Sequence, residues 1–423
     1  MGDMSHENVL MAGYAKGSIL PDGQLHLIGM YSRTPRVGSK LRDEIMVRAV
    51  SLSLGDHRIV LAACDLLCVS EELTRAVSKC VQGLEPHELI LAATHTHSSF
   101  GGFFPSNATS AMLGEPSEKI FNTLAGRIAK VVSAALDDLQ PATMRTGQAQ
   151  LPGLTASRRQ ADGPFDDDVF LICLDRKGRR PIHVMSCSGH PVVVSEREPH
   201  SISSDYPGMV CRALQEQGYD SVFFSSALGG VSILFPEFKM DADRHLDLLK
   251  VLLMEAHSRA EAASSPVLLG DEPGMTIEKF YVPHGPHSTK VFSPIGTKGK
   301  VADLALAPVL GRLRKAGIEG LANPSGIYVH SLRIGNWVFV ACAAEMGVTM
   351  VRAVRELARH AGVDNPMVIS LAGGYAGYMH LENIYKRVPE KGYRYMAYYE
   401  NALALFGFEM GEKVLQEIRR RFG

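Results

Sequence analysis

What this chain lacks narrows its class before any motif is considered. No apolar run reaches the ~18 residues of a membrane-spanning helix. Neither sign of charge dominates: 44 Lys and Arg stand against 45 Asp and Glu, a formal net charge of −1. The two signs are interspersed, so the footprint expected for nucleic acid or an anionic membrane is missing. Arg419-Arg420-Arg421 reads as a helix end, where cations complement the dipole. The start, Met1-Gly2-Asp3-Met4-Ser5-His6-Glu7, is acidic and has no basic or long apolar stretch of a secretion signal. Gly-x-Ser-x-Gly, the serine-hydrolase elbow, does not occur. There is no internal repeat and no low-complexity tract. With 46% hydrophobic and 21% charged residues the balance is globular.

The cysteines number seven, an odd count. Cys64, Cys68, Cys80, Cys173, Cys187, Cys211 and Cys342 sit mostly among apolar residues, which suits buried thiols in a reducing compartment and a cytoplasmic location. Asn107-Ala108-Thr109 matches a glycosylation sequon and, without a secretion signal, reads as loop. The length allows one large domain, 1–423, with the Gly- and Pro-richer stretch 264–323 as an insertion or lid.

Short apolar runs alternate with helical patterns. The spacing predicts strands over Ile45–Leu54, Arg58–Cys64, Glu88–Ala93, Ala142–Gly147, Val169–Asp175, Pro181–Ser186, Ser221–Ser225, Gly326–Ile334, Trp337–Cys342 and Pro366–Ser370. It predicts helices over Glu118–Asp138, introduced by Pro116-Ser117, and over Tyr206–Gln217, Asp243–Ala263, Gly347–Ala361 and Ala397–Phe422. The expected fold is α/β, a mixed central sheet covered by helices.

Several chemistry-bearing residues fall at the ends of these strands. In Ala92-Ala93-Thr94-His95-Thr96-His97-Ser98 the two histidines are spaced i, i+2. A strand repeats every two residues, so both imidazoles should share one face near its C-terminal edge. His190 follows the strand Pro181–Ser186 in Ser188-Gly189-His190-Pro191, and Glu345 follows Trp337–Cys342. The Gly-rich turn Gly373-Gly374-Tyr375-Ala376-Gly377-Tyr378 carries two phenols. Imidazole, carboxylate and phenol together are metal-ligand chemistry, and they point to a metal-dependent hydrolase. Each also has a plain structural reading: exposed histidines, a helix-capping carboxylate, packed tyrosines.

These segments resemble the neutral/alkaline, non-lysosomal ceramidases. Thr94-His95-Thr96-His97-Ser98 is similar to that family's Thr-His-Thr-His-Ser segment, with Gly101-Gly102 following. Gln140-Pro141-Ala142-Thr143 is similar to its strand entry after the first long helix. Gly230-Val231-Ser232 resembles its Gly-Asp-Val-Ser, although Gly230 stands where the Asp would be. Tyr375-Ala376-Gly377-Tyr378, with Tyr399-Glu400 downstream, resembles its Tyr-x-Gly-Tyr and later Tyr-Glu pair. The matches run in the family's order over about residues 10 to 410.

The resemblance implies a zinc amidase with one metal held by His95, His190, Glu345 and Tyr378. It places the family's non-ligand groups on His97, Arg158 and Tyr399, with Arg159 a rival to Arg158, and with Tyr393, Tyr395 and Tyr398 competing for the last role. A metal-activated water would attack an amide carbonyl, His97 would pass a proton to the leaving amine, and Arg158 and Tyr399 would stabilise the oxyanion. Asp65 and Asp205 are candidates either to orient ligand imidazoles or to serve turns and caps. Phe100, Phe103, Phe104 and Met112 could line an acyl pocket or fill the core. Those ceramidases carry a C-terminal β-sandwich domain, whereas this chain ends in a helix. That difference favours a small soluble amide substrate over ceramide and no membrane anchor. An esterase or lactonase on the same scaffold, or a non-catalytic metal-stabilised binding protein, are the competing readings.

Overall fold

The computed structural model describes residues 9–30, 36–104, 110–233, 240–269, 274–285, 311–312, 314–320, 323, 325–387 and 389–422. In chain order the main elements are β1 (Met11–Ser18), β2 (Met46–Leu54), β3 (His57–Cys64), α1 (Glu71–Cys80), β4 (Leu89–Ala93), α2 (Glu118–Asp137), β5 (Gln140–Gln150), β6 (Asp168–Arg176), β7 (Ile182–Cys187), α3 (Asp205–Glu216) and β8 (Asp220–Ser225). They continue with α4 (Ala242–Ala262), β9 (Met275–Pro283), β10 (Gly326–Ile334), β11 (Trp337–Cys342), α5 (Val348–His360), β12 (Met367–Ile369), α6 (Arg394–Ala402) and α7 (Met410–Phe422). The large sheet has nine strands, eight of them in the order β8-β7-β6-β5-β1-β2-β3-β4, while the ninth, Ser265–Pro266, pairs with β5. It is mixed: β7 with β8 and β3 with β4 are parallel, and β6 with β7 and β2 with β3 are antiparallel. A smaller sheet runs β9-β10-β11-β12.

Strand periodicity sorts side chains between layers. In β3, Val60, Ala62 and Cys64 join the core under α1 and α2, whereas Ile59, Leu61 and Ala63 face the opposite way. That opposite face meets Trp337, Phe339, Ala341, Leu332 and Ile334 of the smaller sheet, all nearly inaccessible. Each large apolar side chain buried there contributes about 1.5–3 kcal/mol. The outer face of the smaller sheet, through Val338 and Val340, packs on α5 and α7, and α3 and α4 cover the β6–β8 region. The expected helix-covered sheet is therefore covered by helices on one face and largely by a second sheet on the other.

Local signals account for the helix starts. Ser117 caps α2 by accepting from the Ile120 amide at 3.3 Å, and Ser70 caps α1, which the hydrophobic spacing does not predict, through the Leu73 amide at 3.0 Å. The continuous helix expected over Ala397–Phe422 is instead α6 and α7. Between them Leu403 leaves helical geometry and its carbonyl accepts from the Tyr378 amide at 2.9 Å, a tertiary bond that outweighs helix continuity. Within 264–323, β9 pairs residue for residue with β10, from Met275 opposite Ile334 to Pro283 opposite Gly326, so part of the expected lid is sheet. Residues 270–273, 286–310, 313 and 321–322 of that stretch lie outside the described residues, as do Asn107 and the side chain of Met112. Phe100, Phe103 and Phe104 are buried in the core beneath α2, the packing alternative for that loop. Six of the cysteines are buried and Cys80 is exposed. Among the described residues no helix is long and apolar enough to cross a membrane.

Candidate metal centre

The two histidines of the β4 segment do not ride on a strand. β4 stops at Ala93, and His95 takes a left-handed backbone with φ of +71°, costly for a residue with a Cβ and held by its surroundings. The His95 amide donates to the Leu66 carbonyl at 2.9 Å and the His97 amide to Pro191 at 3.2 Å. The second bond ties this loop to the loop after β7 that carries His190. Gly189, φ +116°, makes the turn into His190; a Cβ there would lie 2.9 Å from the Ile233 backbone. Both imidazoles of the pair still reach one place, by a turn and not by strand periodicity.

Glu345 and Tyr378 arrive as a pair. Glu345–Met346 and Tyr378–Met379 form a short parallel ladder with Glu345 directly beside Tyr378. Gly377, φ +72°, permits that ladder, because a Cβ on it would meet the Leu403 carbonyl at 2.0 Å.

The three rings share one construction. Nδ1 of His95 lies 2.7 Å from the Leu67 carbonyl, that of His97 2.9 Å from Gly29, and that of His190 3.1 Å from Val231. A carbonyl only accepts, so each Nδ1 carries the proton and each Nε2 presents a lone pair. Those lone pairs converge: His95 Nε2 is 3.2 Å from His97 Nε2 and 3.3 Å from Glu345 Oε2, and His190 Nε2 is 3.2 Å from Glu345 Oε2. The Tyr378 hydroxyl is 3.3 Å from His190 Nε2. Separations near 3.3 Å are those of atoms arranged tetrahedrally at about 2.0 Å around one ion. Burial, then the neighbouring imidazoles, hold His97 well below the usual histidine range, and burial with Arg158 lowers His190 to about 4. Both are thus neutral at pH 7, and His97 meets the site as a proton acceptor. Burial works against ionisation of Glu345, so a carboxylate facing those lone pairs calls for positive charge in their midst. A set of lone pairs and one carboxylate with no proton between them fits a divalent transition-metal cation with nitrogen and oxygen preference.

A second ring of residues braces the first. Arg158 donates from Nη2 to the Tyr378 hydroxyl at 2.8 Å and from Nε to Glu400 at 2.7 Å. Arg159, its rival, turns away to Glu400 at 2.7 Å and Asn401 at 2.8 Å. Glu400 is wholly buried and also accepts from the Gly230 amide at 3.0 Å, with His380 Nε2 at 3.0 Å. Tyr375 donates to Glu345 at 3.1 Å. Burial pushes the Tyr378 and Tyr399 phenols up, with Arg158 opposing in both.

Beside this cluster opens a cavity of about 660 Å³ whose walls include His97, His190, Arg158, Tyr378, Tyr393, Tyr395 and Tyr399. Tyr398 is not among the lining residues. Asp65 and Asp205 take the structural alternative, bonding backbone amides away from the imidazoles. Asp65 pairs with Arg48 at 2.9 Å, and Asp205 accepts from the Val194 and Tyr206 amides at 2.8 and 2.7 Å. Backbone carbonyls orient the rings instead. Those carbonyls and the Glu400 hub have no sequence signal beyond the Tyr399-Glu400 pair, since their partners are distant in the chain.

No protein-family model matches this chain, and no curated protein does. Among solved structures, the chain is similar to neutral ceramidase from Pseudomonas aeruginosa, with a TM-score of 0.75 and 19% identity over 97% of this chain and 74% of that one. A structure described as ceramidase complexed with C2 aligns over the same shares with a TM-score of 0.71 and 18% identity. The protein therefore has a ceramidase-like α/β fold.

Proposed function

We propose that this protein is a zinc-dependent amidohydrolase that cleaves the N-acyl amide bond of a small soluble substrate. The convergence of three Nε2 lone pairs with Glu345 and Tyr378 at the wall of one cavity carries this reading, and the ceramidase-like fold supports the choice of bond. His95, His190, Glu345 and Tyr378 would hold the ion. Bound there, zinc supplies Lewis acidity and lowers the pKa of water. His97, the most exposed of the three rings at 9%, accepts a proton at Nε2 while Gly29 holds its Nδ1 proton, and returns it to the departing amine nitrogen. Arg158 and Tyr399 donate to the carbonyl oxygen as charge develops on it. The products are a carboxylate and an amine. A cavity of about 660 Å³ suits a compact N-acyl compound. Because the site joins loops of the large sheet to the edge of the smaller one, residues 1–423 are taken as a single catalytic domain.

The test is zinc content together with hydrolysis of panels of N-acyl amines and esters. His95→Ala, His190→Ala and Glu345→Ala should each remove about one equivalent of zinc per chain and abolish amide cleavage. Full zinc retention in all three would sink the centre. Turnover of esters alone would move the protein to the esterases, and zinc without any turnover would make it a binding protein.

A further inference from the structure

We propose a second zinc-class metal site, formed by Cys173, His183 and Glu261 at the opposite end of β7 from His190. Cys173 on β6 and His183 on β7 are directly paired across the antiparallel ladder, so their side chains stand on one face of the sheet. Glu261 comes from the last turn of α4, which lies so close that a Cβ on Gly147 would meet the Ala260 carbonyl at 1.9 Å. One ligand atom from each of the three residues lies within 4.8 Å of the others.

The imidazole is prepared for this. His183 is fully buried, its ring stacks on Tyr219 with centroids 3.9 Å apart, and its Nδ1 sits 2.8 Å from His257 Nε2. His257 precedes Glu261 by four residues, one turn of α4, and so shares its face. In the tautomer that donates the Nδ1 proton to His257, His183 Nε2 carries a lone pair, and among the described residues it has no hydrogen-bond partner. The nearest Glu261 oxygen is 3.7 Å away, too far for a hydrogen bond but close to the separation of two atoms on one ion. A buried, unpaired imidazole nitrogen is costly, and a cation between it, the thiolate and the carboxylate removes that cost. Thiolate and carboxylate together neutralise a divalent charge, and sulfur, nitrogen and oxygen donors in one set favour zinc-class ions over calcium or magnesium. Glu261 keeps 30% of its side chain exposed, which leaves room for water as a fourth ligand. Such an ion would pin the end of α4 to β6 and β7, a structural role that stabilises the folded chain.

Cobalt(II) is the probe, because the first centre contains no thiolate and a thiolate–cobalt charge-transfer band reports only sulfur ligation. Metal-stripped full-length protein titrated with cobalt should develop that near-ultraviolet band. It should disappear in Cys173→Ser and weaken at least tenfold in apparent affinity in His183→Gln. It should persist in Cys68→Ser, whose thiol lies near Glu345, and in the exposed Cys80→Ser. Zinc should raise the melting temperature of His95→Ala, where the first centre is crippled, and this rise should vanish when Cys173→Ser is added. Stripped Cys173→Ser should melt with the stripped wild type, which separates lost metal from damaged packing. Absence of the band, its survival in Cys173→Ser, or a zinc-induced rise indifferent to Cys173 would overturn the site.

Discussion

Glu400 offers the most demanding check on how the centre is held together. It is 0% exposed and binds Arg158, Arg159, His380 and the Gly230 amide at 2.7–3.0 Å. Glu400→Gln keeps the volume but removes the charge and turns one acceptor into a donor facing guanidinium N–H groups. The two arginine side chains are only 12% and 8% exposed, so water cannot replace the lost partner. Removing one member of such a buried pair costs about 3–5 kcal/mol, and that is the expected loss in urea unfolding at unchanged slope. Arg158 also loses its anchor at Nε while its Nη2 still reaches for Tyr378. If Arg158 stabilises the oxyanion, kcat/KM should drop by about 10²–10³ when measured where the variant remains folded. Zinc content should hold, because Glu400 touches none of the proposed ligands. A stability loss under about 1 kcal/mol with undiminished kcat/KM would refute the bracing role. Loss of zinc would show that the network shapes the ligand set and not only the oxyanion donors.

Further outcomes follow from single residues. His97→Ala should keep its zinc and lose turnover by roughly 10²–10⁴-fold; loss of the metal would make His97 a ligand. His330 is buried and among the described residues neither ring nitrogen has a partner, and burial, then Lys279, lowers its pKa from 6.5 to about 3. The unfolded chain binds the proton first, so the contribution is intact above pH 6.5 and is lost as pH falls toward 3. Between pH 8 and pH 5 the wild type should lose about 2 kcal/mol more stability than His330→Leu, and parallel pH curves would contradict this. In Gly147→Ala the added methyl would collide with the Ala260 carbonyl, and unfolding free energies should show a loss of about 1–3 kcal/mol or more; a neutral effect would deny the close helix–sheet approach. Finally, kcat/KM on a water-soluble N-acyl amine should exceed that on detergent-dispersed ceramide, and the reverse order would make the protein a lipid amidase.

The part of this molecule legible in its sequence is the part set by neighbours along the chain. The continuous apolar runs of β3 and β11 and the Ser117 cap of α2 are local patterns, and the strands and helices they mark lie within a residue or two of expectation. His95, His97, His190, Glu345 and Tyr378 were legible as polar residues near strand ends that stand out from apolar runs, whereas Arg158 and Tyr399 came only from the family resemblance. What the sequence could not decide was set by groups far apart in the chain. The break between α6 and α7 exists because Leu403 binds Tyr378, the second sheet hides a face that helices were expected to cover, and His95 turns left-handed under bonds from a neighbouring loop. The tautomer of every ring rests on a carbonyl up to 68 residues away. Backbone carbonyls are the same in every residue, so no composition or spacing betrays which will be used. Only packing chooses them, and that choice turns scattered histidines into lone pairs aimed at one point.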